Sequence, residues 1–264
     1  MTLETLNRKL RKYWANKLCK IDDIVDCKYE RCRCRVLAEV QAYMKTIIPE
    51  KYQNYNIDDF TGINEKRKRV VEEDKVLGVK NCISNYCWGK DFFEIKKIIE
   101  EHKKELKVNK KAANPLDKIS FISYRKKNGN NIVISGKGGK GIGKTLIASV
   151  IMKEVIKRRA FKDNASDSYK WVNFPVLFEM LKNNSEELTL YKNPTWLVVD
   201  NITKDYRFAA QYIDSFFFKR IEMNYPTLLV FRFPLSDSPV NVEEYFGSAI
   251  NSIIESSKTF NIEV

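Results

Sequence analysis

The stretch IVISGKGGKGIGKTLIASV, residues 132–150, constrains this chain more than any other part of it. A short apolar run rich in Val and Ile passes into a glycine-rich loop, and the loop passes into a helix-forming run. Within it, Gly138, Gly143, Lys144 and Thr145 satisfy the spacing GxxxxGK[ST]. Strand before and helix after is the context that gives this spacing its meaning. Glycines allow the backbone to fold so closely that successive N–H groups point inward and form an anion cradle. The helix that follows adds the positive end of its dipole. The expected cradle is Gly138, Gly139, Lys140, Gly141, Ile142, Gly143, Lys144, Thr145 and Leu146. Lys144 is expected to reach the β- and γ-phosphates of a nucleoside triphosphate, ATP, and the Thr145 hydroxyl to ligate Mg²⁺.

A second stretch completes the pattern. Trp196-Leu197-Val198-Val199-Asp200 is an apolar strand that ends in a carboxylate. At this distance behind a phosphate loop it reads as a Walker B strand, with Asp200 holding Mg²⁺ through water. The next residue is Asn201, which can orient a water molecule but cannot take its proton. Asp205 is the nearest other carboxylate and reads as the cap of the helix that follows.

Around these motifs the pattern from residue 131 onward alternates strand and helix. Strands are predicted at 131–135, 169–174, 195–200, 227–231 and 259–264. Helices are predicted after the loop and at 176–182, 206–223 and 242–257. This alternation predicts an α/β fold, a parallel sheet flanked by helices. Upstream, residues 2–18 carry Leu3, Leu6, Leu10, Trp14 and Leu18 on one stripe among basic residues, a basic amphipathic helix. Residues 35–48 read as a second helix ended by Pro49. Residues 48–62 read as an aromatic and polar connector that packs on a following domain. Two charged helical patterns, 66–76 and 91–108, flank a turn bearing Cys82 and Cys87. The expected organisation is a basic, cysteine-bearing segment at 1–47, a connector and helical lead-in at 48–130, and a nucleotide-binding core at 131–264.

The cysteines are informative because no signal peptide or apolar membrane span is legible, which points to the cytoplasm and to reduced thiols. Cys19, Cys27, Cys32 and Cys34 are candidate zinc ligands, although their spacing is not the paired CxxC pattern. An iron–sulfur cluster and plain free thiols are the alternatives. Cys82, Cys87 and the sole histidine, His102, are candidates for a second site. The formal net charge is +13. Such an excess favours a polyanionic partner through counterion release, with solvated lysine faces as the alternative. The basic clusters are 31–35, 66–69 and 157–159, and Tyr124 beside Arg125 offers a ring for base stacking.

Beyond the phosphate loop, four stretches resemble one family. They are IPEKYQNYNIDDF (48–60), YKWVNFPVLFEMLK (169–182), FFFKRIEMNYPTLLV (216–230) and VEEYFGSAINSIIESSKTFNIEV (242–264). The chain is similar in these to the DnaC/DnaI/IstB family of AAA+ ATPases, the bacterial and phage helicase loaders. The resemblance covers most of 48–264, apart from about 75–125. It implies an AAA+ (ASCE-type) P-loop sheet and an ATPase domain that assembles homo-oligomers. It also implies a role in DNA replication, delivering a replicative helicase to single-stranded DNA, with a zinc-binding N-terminal region that grips the helicase. A transposition accessory ATPase, or a nucleotide-binding scaffold or inhibitor, are the other roles open to such a domain.

The departures from the family matter. Where it usually has an acid after Asp200, this chain has Asn201. Where it often has Asn after the fourth strand, as sensor 1, this chain has Arg232. The family's C-terminal helix carries arginines, whereas the matching positions here include Ser248, Ala249 and Ile253. Arg220 and Arg232 are left as candidate substitutes. These departures imply weak or partner-dependent ATP hydrolysis.

Overall fold

A computed structural model describes residues 43–63, 68–88, 97, 101, 131–136, 143–160, 169–206, 209–235, 241–257 and 261–263. The chain divides into two units, one of residues 1–55 with 149–167 and the other of 56–148 with 168–264.

The larger unit is built on five parallel strands: β1 (Ile132–Ser135), β2 (Tyr169–Asn173), β3 (Trp196–Ile202), β4 (Thr227–Phe231) and β5 (Asn261–Glu263). Their order across the sheet is β2-β3-β4-β1-β5. β1, β4 and most of β3 are buried along their length, as parallel strands covered on both faces must be. This is why they read as continuous apolar runs. The helices are α1 (Glu73–Trp88), α2 (Lys144–Ala160), α3 (Phe174–Lys182), α4 (Thr189–Lys192), α5 (Ala210–Glu222) and α6 (Val242–Ser256). α5 buries Ile213, Phe216, Phe217 and Arg220, a spacing of three and four that keeps one face on the core. α6 does the same with Phe246, Ala249, Ile250 and Ile253. Aromatic rings close the core, with Phe246 edge-on to Phe174 at 5.8 Å and to Phe231 at 6.2 Å.

Polar clasps fix the register of these layers. The Asn131 carbonyl accepts the Thr227 N–H at 2.9 Å, and its amide donates to Ser256 Oγ at 2.9 Å. One side chain thereby joins the starts of β1 and β4 to the end of α6. α6 itself breaks at Gly247, whose φ is 84°. A Cβ there would lie 2.2 Å from Asp214 Oδ1, and that oxygen instead accepts the Ala249 N–H at 2.9 Å. Glycine is required on both counts, the left-handed φ and the carboxylate that occupies the space.

Several expectations need correction. The stretch with Cys82 and Cys87 is not a turn but the body of α1. Val76, Val79, Ile83, Tyr86 and Cys87 form a buried helical stripe there, and burial of that stripe overrode the turn reading. The helix predicted from residue 66 begins at Glu73. Just before it, Arg69 bridges to Ile63 in antiparallel fashion and its guanidinium pairs with Glu73 at 2.6 Å. Asp205 caps no helix, since α5 starts at Ala210 with Ala209 in the cap position. β3 runs two residues beyond the predicted end.

In the smaller unit, residues 43–47 are helical and Met44 and Ile48 are buried. Lys153, 4% exposed, donates to the carbonyls of Tyr52 and Gln53 at 3.1 and 3.3 Å and to that of Tyr55. A buried ammonium needs such acceptors, and three carbonyls of one turn supply them.

Candidate functional site

In a parallel sheet all strands point their carboxyl ends the same way, and sites form there. β4 lies between β1 and β3, so the residues following these three strands converge. α2 begins with Lys144 and Thr145 and has no acid in its first turn, leaving its N-terminal amides favourable to an anion. Thr145 Oγ donates to Asp200 Oδ1 at 3.4 Å. Lys144, 7% exposed, donates to the Gly136 carbonyl at 3.4 Å. The two motifs of the sequence therefore meet. Gly138, Gly139, Lys140, Gly141 and Ile142 lie outside the described residues, whereas Gly143, Lys144, Thr145 and Leu146 lie within them.

Gly143 has a φ of 95°, and a Cβ on it would stand 2.8 Å from the Phe60 ring. Phe60 is 4% exposed. The last glycine of the loop is thus held by an aromatic side chain of the lead-in segment, a contact that no motif announced. The only legible signal was an aromatic residue in an otherwise polar stretch.

The electrostatics follow from burial. Lys144 is pulled down to about 8, first by desolvation and then by the Arg232 charge, with Asp200 acting against them. Desolvation pushes the Asp200 carboxyl up, while hydrogen bonds from Thr145 and from the Asn201 N–H (2.7 Å) hold it down. Arg232 follows β4, its N–H donating to the Ile202 carbonyl at 2.8 Å, and its charge is felt by both Lys144 and Asp200.

Asn201 sits where the pairing of β3 with β4 shifts register, and its φ is 70°. Asn tolerates this conformation better than most residues. Its Oδ1 is buried and has no hydrogen-bond partner among the described residues. A buried acceptor of this kind is suited to a bound water or ligand.

Arg220 is at the other end of the sheet. It is fully buried and donates to the Pro194 and Pro226 carbonyls at 2.9 and 3.0 Å and to Thr227 Oγ at 3.0 Å. Pro194 precedes β3, Pro226 precedes β4 and Thr227 opens β4, so Arg220 clamps the amino ends of two strands. It is no substitute for a catalytic arginine. Ala249 and Ile253 are core residues of α6.

The thiol candidates divide. Cys19, Cys27, Cys32, Cys34 and His102 lie outside the described residues. Cys87 is buried on α1 and burial raises the Cys82 thiol. Among the described residues no group of three or more His, Cys, Asp or Glu side chains is placed to hold a metal. Mg²⁺ makes no such demand, because it retains waters and takes phosphate oxygens with one or two protein oxygens. Thr145 Oγ and Asp200 Oδ1 fit that role. Among the described residues no helix is long and apolar enough to cross a membrane.

Strand order and the strand–loop–helix unit place the fold in the α/β P-loop class of AAA+ (ASCE-type) proteins. No family model matches the chain, and no curated protein matches it in sequence. Among solved structures it is similar to a primosome component from Streptococcus pyogenes serotype M3, at 14% identity over 85% of this chain and 95% of that one, with a TM-score of 0.47. It is similar to the DnaC helicase loader at 15% identity over 82% and 99%, with a TM-score of 0.47. It is similar to DnaI at 21% identity over 55% and 74%, with a TM-score of 0.39. At these identities the likeness is one of fold.

Proposed function

We propose that the chain binds ATP·Mg²⁺ at the carboxyl ends of β1, β3 and β4 and acts as a helicase loader, delivering a replicative DNA helicase to single-stranded DNA. The observation that carries the nucleotide part is the Thr145–Asp200 contact at 3.4 Å beside buried Lys144. Lys144 sets a positive charge against the phosphates. Thr145 supplies a hydroxyl ligand for Mg²⁺, and Asp200 orients a water of its shell. Asn201 Oδ1 holds a second water, and Arg232 adds positive charge at the same end. The loader part rests on the resemblance of residues 48–60, 169–182, 216–230 and 242–264 to that family. In this reading the segment at 1–47, with zinc on its cysteines, grips the helicase, and the nucleotide core forms the homo-oligomer. Elemental analysis giving no zinc in protein purified without chelator removes the metal from it.

The functional test uses immobilised full-length protein and the host's replicative helicase. Retention is expected with Mg²⁺-ATP, loss with chelator or with Lys144→Ala, and release on adding single-stranded DNA. No retention in any condition sinks the loader reading.

A second reading, a nucleotide-binding scaffold, is favoured by Asn201 and by the engagement of Arg220 elsewhere. Both readings share slow turnover, below about 1 s⁻¹, the low end for ordinary enzymes. Asn201→Asp restores a group able to accept a proton from water. Because a general base contributes roughly 10²–10⁴-fold, the variant is expected to release phosphate at least about tenfold faster than wild type. An unchanged rate would mean that charge on the γ-phosphoryl group, not proton removal, is limiting.

A further inference from the structure

A cavity of about 280 Å³ lies between α3, the turn that follows it, α4 and α5. It arises because the chain leaves α3 through Asn184 at a φ of 48° and returns to β3 by a single turn at Glu186–Leu188 and the short α4. Leu181, Leu188 and Phe216 line it with apolar surface, Tyr212 adds a ring, and Lys192 and Lys219 supply cations. None of the described residues lining it is acidic. The surface around it is apolar as well. Leu190 on α4 is 53% exposed, Phe218 on α5 41%, and Met223 just after α5 52%. Such residues, clustered on neighbouring elements, are unusual on a surface that faces only water. The cavity shares no residue with the nucleotide site.

We infer that this cavity is a protein-docking site that takes an apolar side chain from an acidic segment of a partner protein. Charge complementarity selects the flanking residues, because carboxylates of the partner would face Lys192 and Lys219 while the anchor enters the cavity. The aliphatic surround argues against nucleic acid. Leu181, Leu188, Leu190 and Met223 offer nothing to phosphate, and stacking on bases needs rings. Exposed Met and Phe are instead what protein interfaces collect. A second copy of this chain is a poor occupant because it carries the same net charge of +13. The inference does not depend on nucleotide binding and stands or falls separately from it.

The test selects peptides from a random library on the full-length protein and counter-selects on Lys192→Glu/Lys219→Glu. The enriched peptides are expected to carry Asp or Glu around a central Leu, Phe or Met. A labelled representative should bind the double variant about tenfold or more weakly, and should lose binding when its apolar anchor becomes Ser. Thermal unfolding and nucleotide affinity matching wild type would show that the variant is folded. Enrichment of peptides without acids, or an acidic peptide indifferent to the charge reversal, would overturn the inference. So would a labelled oligo-dT whose affinity, unlike that of the peptide, falls in the double variant.

Discussion

Replacing Lys144 with alanine is expected to weaken Mg²⁺-ATP binding by about 100-fold or more. The ammonium is 7% exposed beside Asp200 and the start of α2, where water competes poorly for phosphate. A hydrogen bond to a charged group contributes roughly 1.5–3 kcal/mol, and tenfold in affinity is about 1.4 kcal/mol, so two phosphate contacts account for the loss. The same residue predicts a pH dependence of definite sign. In the free protein Lys144 loses its proton near pH 8, because burial and Arg232 outweigh the help of Asp200. Bound phosphates favour the charged form and raise its pKa. Above about pH 8 binding must therefore take up a proton, and affinity falls as pH rises, by up to about tenfold per unit. Well below that pH the dependence on this group should vanish. Titration with a fluorescent ATP analogue from about pH 6.5 to about 9.5 reads both effects. A wild-type affinity flat across that range would show that Lys144 does not face the phosphates, and an alanine variant of equal affinity would remove the phosphate site itself.

Arg220→Ala should produce the largest loss of stability. The guanidinium is completely buried, held at about 9 by desolvation and therefore still charged at neutral pH. Truncation leaves the Pro194 and Pro226 carbonyls and the Thr227 hydroxyl without their donors and opens a cavity at the foot of β3 and β4. Removing a partner from a buried polar network costs about 3–5 kcal/mol. At about 2–4 °C per kcal/mol this is a fall in Tm of roughly 10 °C. Nucleotide affinity, measured well below the transition, should be unchanged, since the site lies at the opposite ends of the strands. A fall in affinity with unaltered Tm would return Arg220 to the catalytic machinery. Arg220→Lys should fall between, keeping the charge but losing the planar fork that meets three acceptors.

Much of the site was legible in linear form. GxxxxGK[ST] requires a strand before it and a helix after it, and both appear where the pattern put them. Asp200 could be picked out because a buried apolar strand that ends in an acid, this far behind such a loop, carries its carboxylate to the phosphate end of the sheet. The core strands were equally plain, since burial on both faces demands uninterrupted apolar residues. Boundaries were less secure: β3 extends to Ile202 because β4 offers partners beyond the register shift, and no local property of Asn201 announces that.

The alternation of strand and helix and the phosphate-loop spacing settled the fold class and the place of Lys144 and Thr145, because both are local: period, glycine content and charge act within a few residues. Which arginine faces the nucleotide is not local. Arg220 and Arg232 are indistinguishable in a linear reading, and packing alone sends one to the amino ends of the strands and the other beside Lys144 and Asp200. The helix around Cys82 and Cys87 needed burial of its apolar stripe to outweigh its turn-like composition. The contact of Phe60 with Gly143, the Asp214 carboxylate at Gly247 and the cavity beside Tyr212 likewise join residues far apart in the chain. Side chains this distant meet only when helices and strands close on one another, and the free energy that selects their partners is the burial of the whole core, which no short window of residues contains.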